Sequence, residues 1–220
     1  NALRLSPAEM ASRVANMDPA LTAVVVYGQQ PSASTQNMPA SGAVCTAIKQ
    51  NSPELKTAMI GGHVAALPDR TLIDEDVDFV SNGEGLFTII DLIDAIKADD
   101  DDYSKVRGLH YWKDGIIQRT PNPPLLMDLD AEMPGIAWDL LPMDLYRAHN
   151  WHCFGQLQRQ PYASIYTTLG CPYKCEFCCI NANCREHGKR ERNNLRIHQT
   201  FGKSDTIRLL ECFVCAKRFS

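Results

Sequence analysis

Short apolar runs alternate with amphipathic stretches along roughly the first hundred residues, and the runs end on glycine or polar turns. Residues 21–27, Leu21-Thr22-Ala23-Val24-Val25-Val26-Tyr27, are continuously apolar and stop at Gly28. This is the pattern of a parallel strand covered on both faces. Residues 55–60 predict a second strand ending on Gly61-Gly62-His63, and residues 77–80 a third ending on Ser81-Asn82-Gly83-Glu84-Gly85. A helix is predicted from residue 7 to about 16. Ser6 caps it, Pro7 suits its first position, Glu9 closes a capping box, and Asp18-Pro19 stops it. Residues 29–39 are polar and turn-rich, and a helix is expected over 40–50. A short helix falls in 64–75, interrupted at Pro68, and another over 86–98, with Phe87, Ile90, Ile93 and Ile96 on one side. Strand–helix alternation with glycines at strand ends predicts an α/β fold, a doubly wound parallel sheet. Its ligands would lie beyond the carboxyl ends of the strands.

After residue 105 the pattern changes. Leu109-His110-Tyr111-Trp112, Lys113-Asp114-Gly115 and Ile116-Ile117-Gln118 read as a hairpin turning at Asp-Gly. The acidic run Asp99 to Asp102 before it reads as a solvated loop. Residues 121–147 are rich in proline, leucine and methionine, as in an ordered connector. Residues 162–169 (YASIYTTL) are β-branched and aromatic, a strand that Gly170 and Pro172 terminate. These shifts divide the chain into 1–105, 106–160, 161–183 and 184–220.

Composition adds a compartment and a charge boundary. The chain has 220 residues, 45% hydrophobic and 22% charged, which are globular values. No apolar run approaches the ~20 residues of a membrane span, and no secretory signal is visible. Nine cysteines, several in tight clusters, indicate metal chemistry in a reducing, cytoplasmic setting rather than a disulfide framework. The net charge of −4 hides a split: residues 1–183 carry −9 and residues 184–220 carry +5. Composition is silent on oligomeric state.

The chemistry concentrates in Gly170-Cys171-Pro172-Tyr173-Lys174-Cys175-Glu176-Phe177-Cys178. Three soft thiolates on a short loop suit an iron–sulfur cluster with one iron left without a protein ligand, whereas structural zinc wants four ligands. Cys171-x3-Cys175-x2-Cys178, with Phe177 before the last cysteine, resembles the cluster-binding loop of radical SAM enzymes. The resemblance implies a [4Fe–4S] cluster on Cys171, Cys175 and Cys178, shielded by Phe177, and S-adenosylmethionine chelated by the open iron. Residues 1 to about 181 resemble members of that family with an N-terminal cobalamin-binding-like domain. The likeness is carried by Gln29 to Thr35, Gly61-Gly62-His63, Gly83-Glu84-Gly85, the hairpin, Leu129-Asp130 and Trp138-Asp139-Leu140-Leu141-Pro142. It implies a Rossmann- or flavodoxin-like sheet lacking its first strand, followed by the start of a radical SAM barrel. Ser34, Thr35, Gly61, Gly62, Gly83, Glu84 and Gly85 would lie against cobalamin, and His63 is not expected to ligate cobalt. Glycine admits close backbone approach to a flat ligand, although Gly61 and Gly62 serve a strand-to-helix turn equally well. Complete relatives would transfer methyl groups or rearrange carbon skeletons. A chain ending at Ser220 has no room for a whole barrel, so an enzyme fragment without independent turnover is expected.

The tail carries a second pattern. Cys179-x4-Cys184 and Cys212-x2-Cys215 flank a basic stretch with Arg190, Arg192, Arg196 and Arg208. With Gly202-Lys203 they resemble the zinc ribbons of some insertion-sequence transposases, which implies zinc on four thiolates and nucleic acid as partner. Cys175 and Cys178 pairing with Cys212 and Cys215 is a competing ligand set. The charge reversal near residue 184 fits a junction with another reading frame, and the alternative is a divergent continuation of one enzyme. An inert product of a broken gene is the third reading.

Overall fold

The computed structural model describes residues 4–27, 31–98, 101–133, 137–147, 168–170 and 190–191. Those within Leu5–Leu125 form one compact unit, and those within Leu126–Leu169 belong to a second.

The first helix, α1 (Pro7–Met17), forms as the cap signals predict. Ser6 Oγ accepts from Glu9 N, Glu9 Oε2 accepts from Ser6 N at 2.7 Å, and Asp18 ends the helix in the left-handed region. Strand β1 (Thr22–Val26) follows, and then α2 (Pro31–Asn51). Helix α2 starts nine residues before the turn-rich reading allowed and carries Pro39 inside it. An internal proline costs about 3 kcal/mol. Burial of Ser34, Met38, Cys45 and Ile48 along the inner side of the helix offsets that cost. Strand β2 (Thr57–Gly61) leads to α3 (Gly62–Ala66) and α4 (Pro68–Asp74), split at Leu67 as Pro68 requires. Strand β3 (Phe79–Ser81) leads to α5 (Leu86–Lys97). Strands β4 (Leu109–Lys113) and β5 (Ile116–Arg119) form the hairpin. Its turn residues Asp114 (φ 53°) and Gly115 (φ 74°) both take the positive φ of a two-residue type I′ turn.

The sheet order is β1-β2-β3-β4-β5. The first three strands are parallel, with Val24 opposite Met59 and Met59 opposite Val80. The hairpin is not a separate connector element. It extends the same sheet antiparallel to β3, with His110 opposite Val80, so the sheet is mixed rather than wholly parallel. Because order follows sequence, right-handed crossovers place successive helices on one face. Met38, Cys45, Val64 and Leu72 from α2, α3 and α4 accordingly share a core with Val26, Met59 and Val80. The opposite face packs Leu92 of α5 and Tyr103 on Ala58, Phe79 and Tyr111.

Two further expectations are corrected. The buried side of α5 is Thr88 and Leu92 with Ile89, Ala95 and Ile96 packed beside them, while Ile90 is exposed. Steps of three alone drift off a 3.6-residue period, so the stripe rotates by one position. Strand β1 is not covered on both faces: Val24 and Val26 face the core, whereas Val25 is 62% exposed. The β1 strand lies at the edge of the sheet.

At the amino ends, Asp78 ties β2 to the approach to β3, accepting from Thr57 N (2.7 Å), Thr57 Oγ1 (3.0 Å) and Lys49 Nζ (2.5 Å). The second unit contains α6 (Leu129–Glu132), capped by Asp128, and a short antiparallel pair, β6 (Thr168–Leu169) with β7 (Arg190–Glu191). Gly170, with φ 79°, follows β6.

One pH prediction arises here. Arg107 donates to both carboxylate oxygens of Asp91, at 2.6 and 2.8 Å, and its backbone N–H adds a third bond at 3.1 Å. The guanidinium bonds hold Asp91 below its usual 3.8. A lowered carboxyl contributes stability above its unfolded value and loses it as pH falls through the folded value. Asp91→Asn is therefore expected to flatten the acid limb of the stability profile below about pH 4. Urea melts at stepped pH check this, and an unchanged acid limb would sink it.

Candidate functional site

The carboxyl ends of β1, β2 and β3 form one rim, and the sequence-predicted cofactor residues gather there, though with different roles. Ser34 is 2% exposed. Its Oγ donates to Val26 O at 2.6 Å and accepts from His63 N at 3.0 Å. The hydroxyl thus joins the end of β1 to the start of α3. Thr35, one position on, is exposed, and its Oγ1 lies 3.0 Å from His63 Nδ1. Ser34→Ala leaves a carbonyl and an amide without their partner, for an expected loss of about 1–3 kcal/mol. Chemical denaturation measures this, and a loss near zero would mean water replaces the hydroxyl.

The glycines also separate. Gly61 has φ 148°, and a Cβ there would run into the carbonyl of Val26. Gly85, at φ 84°, would drive a Cβ into Ile60 Cγ2. Both are required by the fold itself. Gly83, at φ 104°, has nothing within 4 Å of where a Cβ would sit, so space beside it is open. Gly62 is the first residue of α3, and Glu84 is half-buried in the β3–α5 loop. Helix α5 begins at Gly85 without a side-chain cap, and its first-turn amides have no intrahelical acceptor. Ser81 Oγ and Thr88 Oγ1, on either side of the loop, are buried without a hydrogen-bond partner.

The sequence reading missed a polar chain behind this loop, running from a buried histidine out to a solvent-exposed ion pair. His110 on β4 is 6% exposed. Its Nδ1 lies 2.7 Å from Asp69 Oδ1 at the start of α4, and its Nε2 lies 3.4 Å from Asn82 Nδ2. Arg119 on β5 grips Asp69 with Nε (2.9 Å to Oδ2) and a terminal nitrogen (2.6 Å to the same oxygen). The Arg119 bonds, followed by the His110 bond, hold the Asp69 carboxyl below its usual range. The only sequence signal was the alternation in the hairpin, which puts His110 on the Val80 side once register is known.

Cys171, Cys175 and Cys178, and likewise Cys179, Cys184, Cys212 and Cys215, lie outside the described residues. Among the described residues, no group of three His, Cys, Asp or Glu side chains is arranged to hold a metal. Cys45 is fully buried, and burial first, then Glu75, Asp78 and Asp76, push its thiol up to about 12. Such a thiol is inert toward metals and alkylating agents. No helix among the described residues is long and apolar enough to cross a membrane.

No family model matches the chain. An uncharacterized methyltransferase of Pyrococcus horikoshii is 31% identical over 163 residues, 74% of this chain and 32% of that protein. The anaerobic magnesium-protoporphyrin IX monomethyl ester cyclase of Synechocystis is 30% identical over 105 residues, 48% of this chain and 19% of the cyclase. The cytidylyl-2-hydroxyethylphosphonate methyltransferase of Streptomyces wedmorensis is 27% identical over 146 residues, 57% of this chain and 27% of that enzyme. The chain thus spans at most about a third of the length of these curated relatives. Among solved structures, the radical S-adenosylmethionine methyltransferase TsrM of Kitasatospora setae, with tryptophan and a SAM analogue bound, matches with a TM-score of 0.52. That match has 17% identity and covers 83% of this chain and 34% of TsrM. The α/β sheet is therefore a fold that this chain shares with a radical SAM methyltransferase, and its sequence relatives include two methyltransferases.

Proposed function

We propose that this chain carries the corrinoid-binding-like sheet and the cluster-binding loop of a radical SAM methyltransferase. The observation that carries the reading is the triplet Cys171-x3-Cys175-x2-Cys178, entered from the β6 strand through the positive-φ Gly170 and preceded in the chain by an α/β sheet. The methyltransferase relatives support the same reaction class.

The donor set suits a [4Fe–4S] cluster: three thiolates leave one iron open for the amino and carboxylate groups of S-adenosylmethionine. The rim suits a flat ligand bordered by amides. Space is open beside Gly83, the Asn82 amide and Thr35 hydroxyl stand at the rim, and Ser81 and Thr88 hold orphaned hydroxyls beneath the loop. Ser34, Gly61 and Gly85 act one layer down, fixing the loops rather than meeting the ligand. With both groups bound, the chemistry supplied is reductive cleavage of S-adenosylmethionine and methyl carriage on a corrinoid.

The test is anaerobic reconstitution with iron and sulfide, then low-temperature EPR of the reduced protein with and without S-adenosylmethionine. Metal analysis is expected to give about four irons per chain, and the EPR a low-temperature signal that S-adenosylmethionine perturbs. A single zinc held without iron would replace this reading with the tail's Cys179, Cys184, Cys212 and Cys215 site and a nucleic-acid partner. Corrinoid binding is read separately, from the visible spectrum of hydroxocobalamin after gel filtration with the protein.

A further inference from the structure

The sheet has two edge strands, β1 and β5, and they are guarded differently. The hairpin that ends in β5 carries Lys113 and Asp114 beside its turn and Arg119 on β5 itself, ion-paired to Asp69. Charged side chains of this kind keep an open edge from pairing with another chain. Residues 21–27, which contain β1, hold no charge, no proline and no glycine.

The backbone of β1 shows which groups are left over. Thr22 stands opposite Thr57, and its N–H donates to Lys56 O at 2.8 Å, so Thr22 turns its backbone groups toward β2. These groups alternate in direction along a strand. Val24 and Val26 therefore also face β2, while Ala23 and Val25 point theirs away from the sheet, with no strand beside them among the described residues. The row ends at Tyr27, whose carbonyl accepts from Asn37 Nδ2. The side chains of Ala23 and Val25 are exposed as well, on the face opposite the core that Val24 and Val26 join.

We propose that β1 is a homodimer edge: two copies of this chain pair β1 with β1, antiparallel, about a two-fold axis at Val24. Symmetry selects the occupant. Ala23 and Val25 are placed equally about Val24, so the two-fold sets Ala23 opposite Val25 of the second copy, and Val25 opposite its Ala23. Each such pair exchanges two main-chain hydrogen bonds. A small side chain meets a larger one on the same face, and the two exposed valines approach diagonally across the axis. No like charges are brought together, and the contact closes at two copies. A strand of five residues a side covers little area, so the dimer is weak, with a dissociation constant on the order of 10–100 μM.

Sedimentation velocity of the reduced 220-residue chain, from well below to well above that constant, reads the association, and amide exchange reads the surface. In the dilute protein Thr22, Val24 and Val26 are expected to exchange slowly, and Ala23 and Val25 fast. At high concentration Ala23 and Val25 should become slow too. Val25→Lys is expected to weaken the dimer at least about tenfold with the urea midpoint unchanged. Ile116→Lys, similarly exposed on β5, should leave the dimer as it is. A monomer at all concentrations overturns the proposal, as does a dimer in which the Ala23 and Val25 amides stay fast, or one that Ile116→Lys disrupts. Slow Ala23 and Val25 amides in the monomer also overturn it, because another segment of the same chain then covers the edge. The exchange pattern is read on the unaltered protein, so it decides the matter even if Val25→Lys lowers the urea midpoint.

Discussion

Replacing Cys171, Cys175 and Cys178 together by alanine is expected to abolish iron retention after reconstitution, from about four irons per chain to background. The size of the effect follows from ligand chemistry. Soft thiolates would hold the cluster irons, and among the described residues no group of side chains is arranged to replace them. Cys45 cannot substitute, because its thiol is buried at 0% exposure and pushed up to about 12. Single alanine variants should each lose most of the cluster, since two thiolates leave two irons without protein ligands. The informative control is zinc. If metal analysis finds one zinc per chain and the triple variant keeps it, the thiolates of the tail hold the metal and the cluster assignment fails. If zinc is lost from the triple variant as well, the competing pairing of Cys175 and Cys178 with Cys212 and Cys215 is the one that survives. Partial iron retention in the triple variant would show that other cysteines ligate the cluster.

Gly61→Ala is expected to be the most damaging single substitution in the sheet, at about 3–5 kcal/mol. Two independent costs coincide. The backbone at φ 148° is one that L side chains rarely adopt, and the added methyl meets the Val26 carbonyl on the neighbouring parallel strand. That carbonyl cannot retreat, because it accepts the Ser34 hydroxyl at 2.6 Å. Gly83→Ala supplies the comparison. Its φ of 104° imposes strain, but the space beside it is open, so about 1–3 kcal/mol is expected. Denaturant midpoints on the three proteins measure the difference. Equal losses at the two positions would show that β1 and β2 do not approach as closely as described. A domain of this size is stable by only about 5–15 kcal/mol, so Gly61→Ala belongs in a cold-expressed preparation. Gly83→Ala, being folded, also reports on the ligand: a methyl in the open space should weaken corrinoid binding without unfolding the sheet.

Local rules explain why much of the architecture was legible. The capping box at Ser6 and Glu9, the break at Pro68 and the Asp114-Gly115 turn each depend on neighbours within four residues, and each forms as read. The start of helix α2 is not legible locally because its first turns are rich in serine, threonine and proline, which favour turns. Burial of Ser34 and Met38 against the sheet overrides that preference. The exposed half of β1 was hidden for the same reason: Val25 is as apolar as Val24, and only its position at the sheet edge decides that it meets solvent.

The rim divides similarly. The glycine-ended strands marked where ligand loops would fall, but Gly61 and Gly83 look alike in sequence. Only the distance to Val26 tells packing from open space. His110, Asp69 and Arg119 come from three elements separated by up to fifty positions, and no local pattern joins them.

By itself, then, the sequence determined the elements, the strand-end loops and the cysteine triplet, because caps, turns, periodicity and thiolate spacing are written in adjacent residues. The tertiary structure decided which strand lies at the edge, that the hairpin completes the sheet, and which rim groups are occupied by the protein's own backbone. Those outcomes depend on register and burial, where contacts between distant residues outweigh the preferences of each segment.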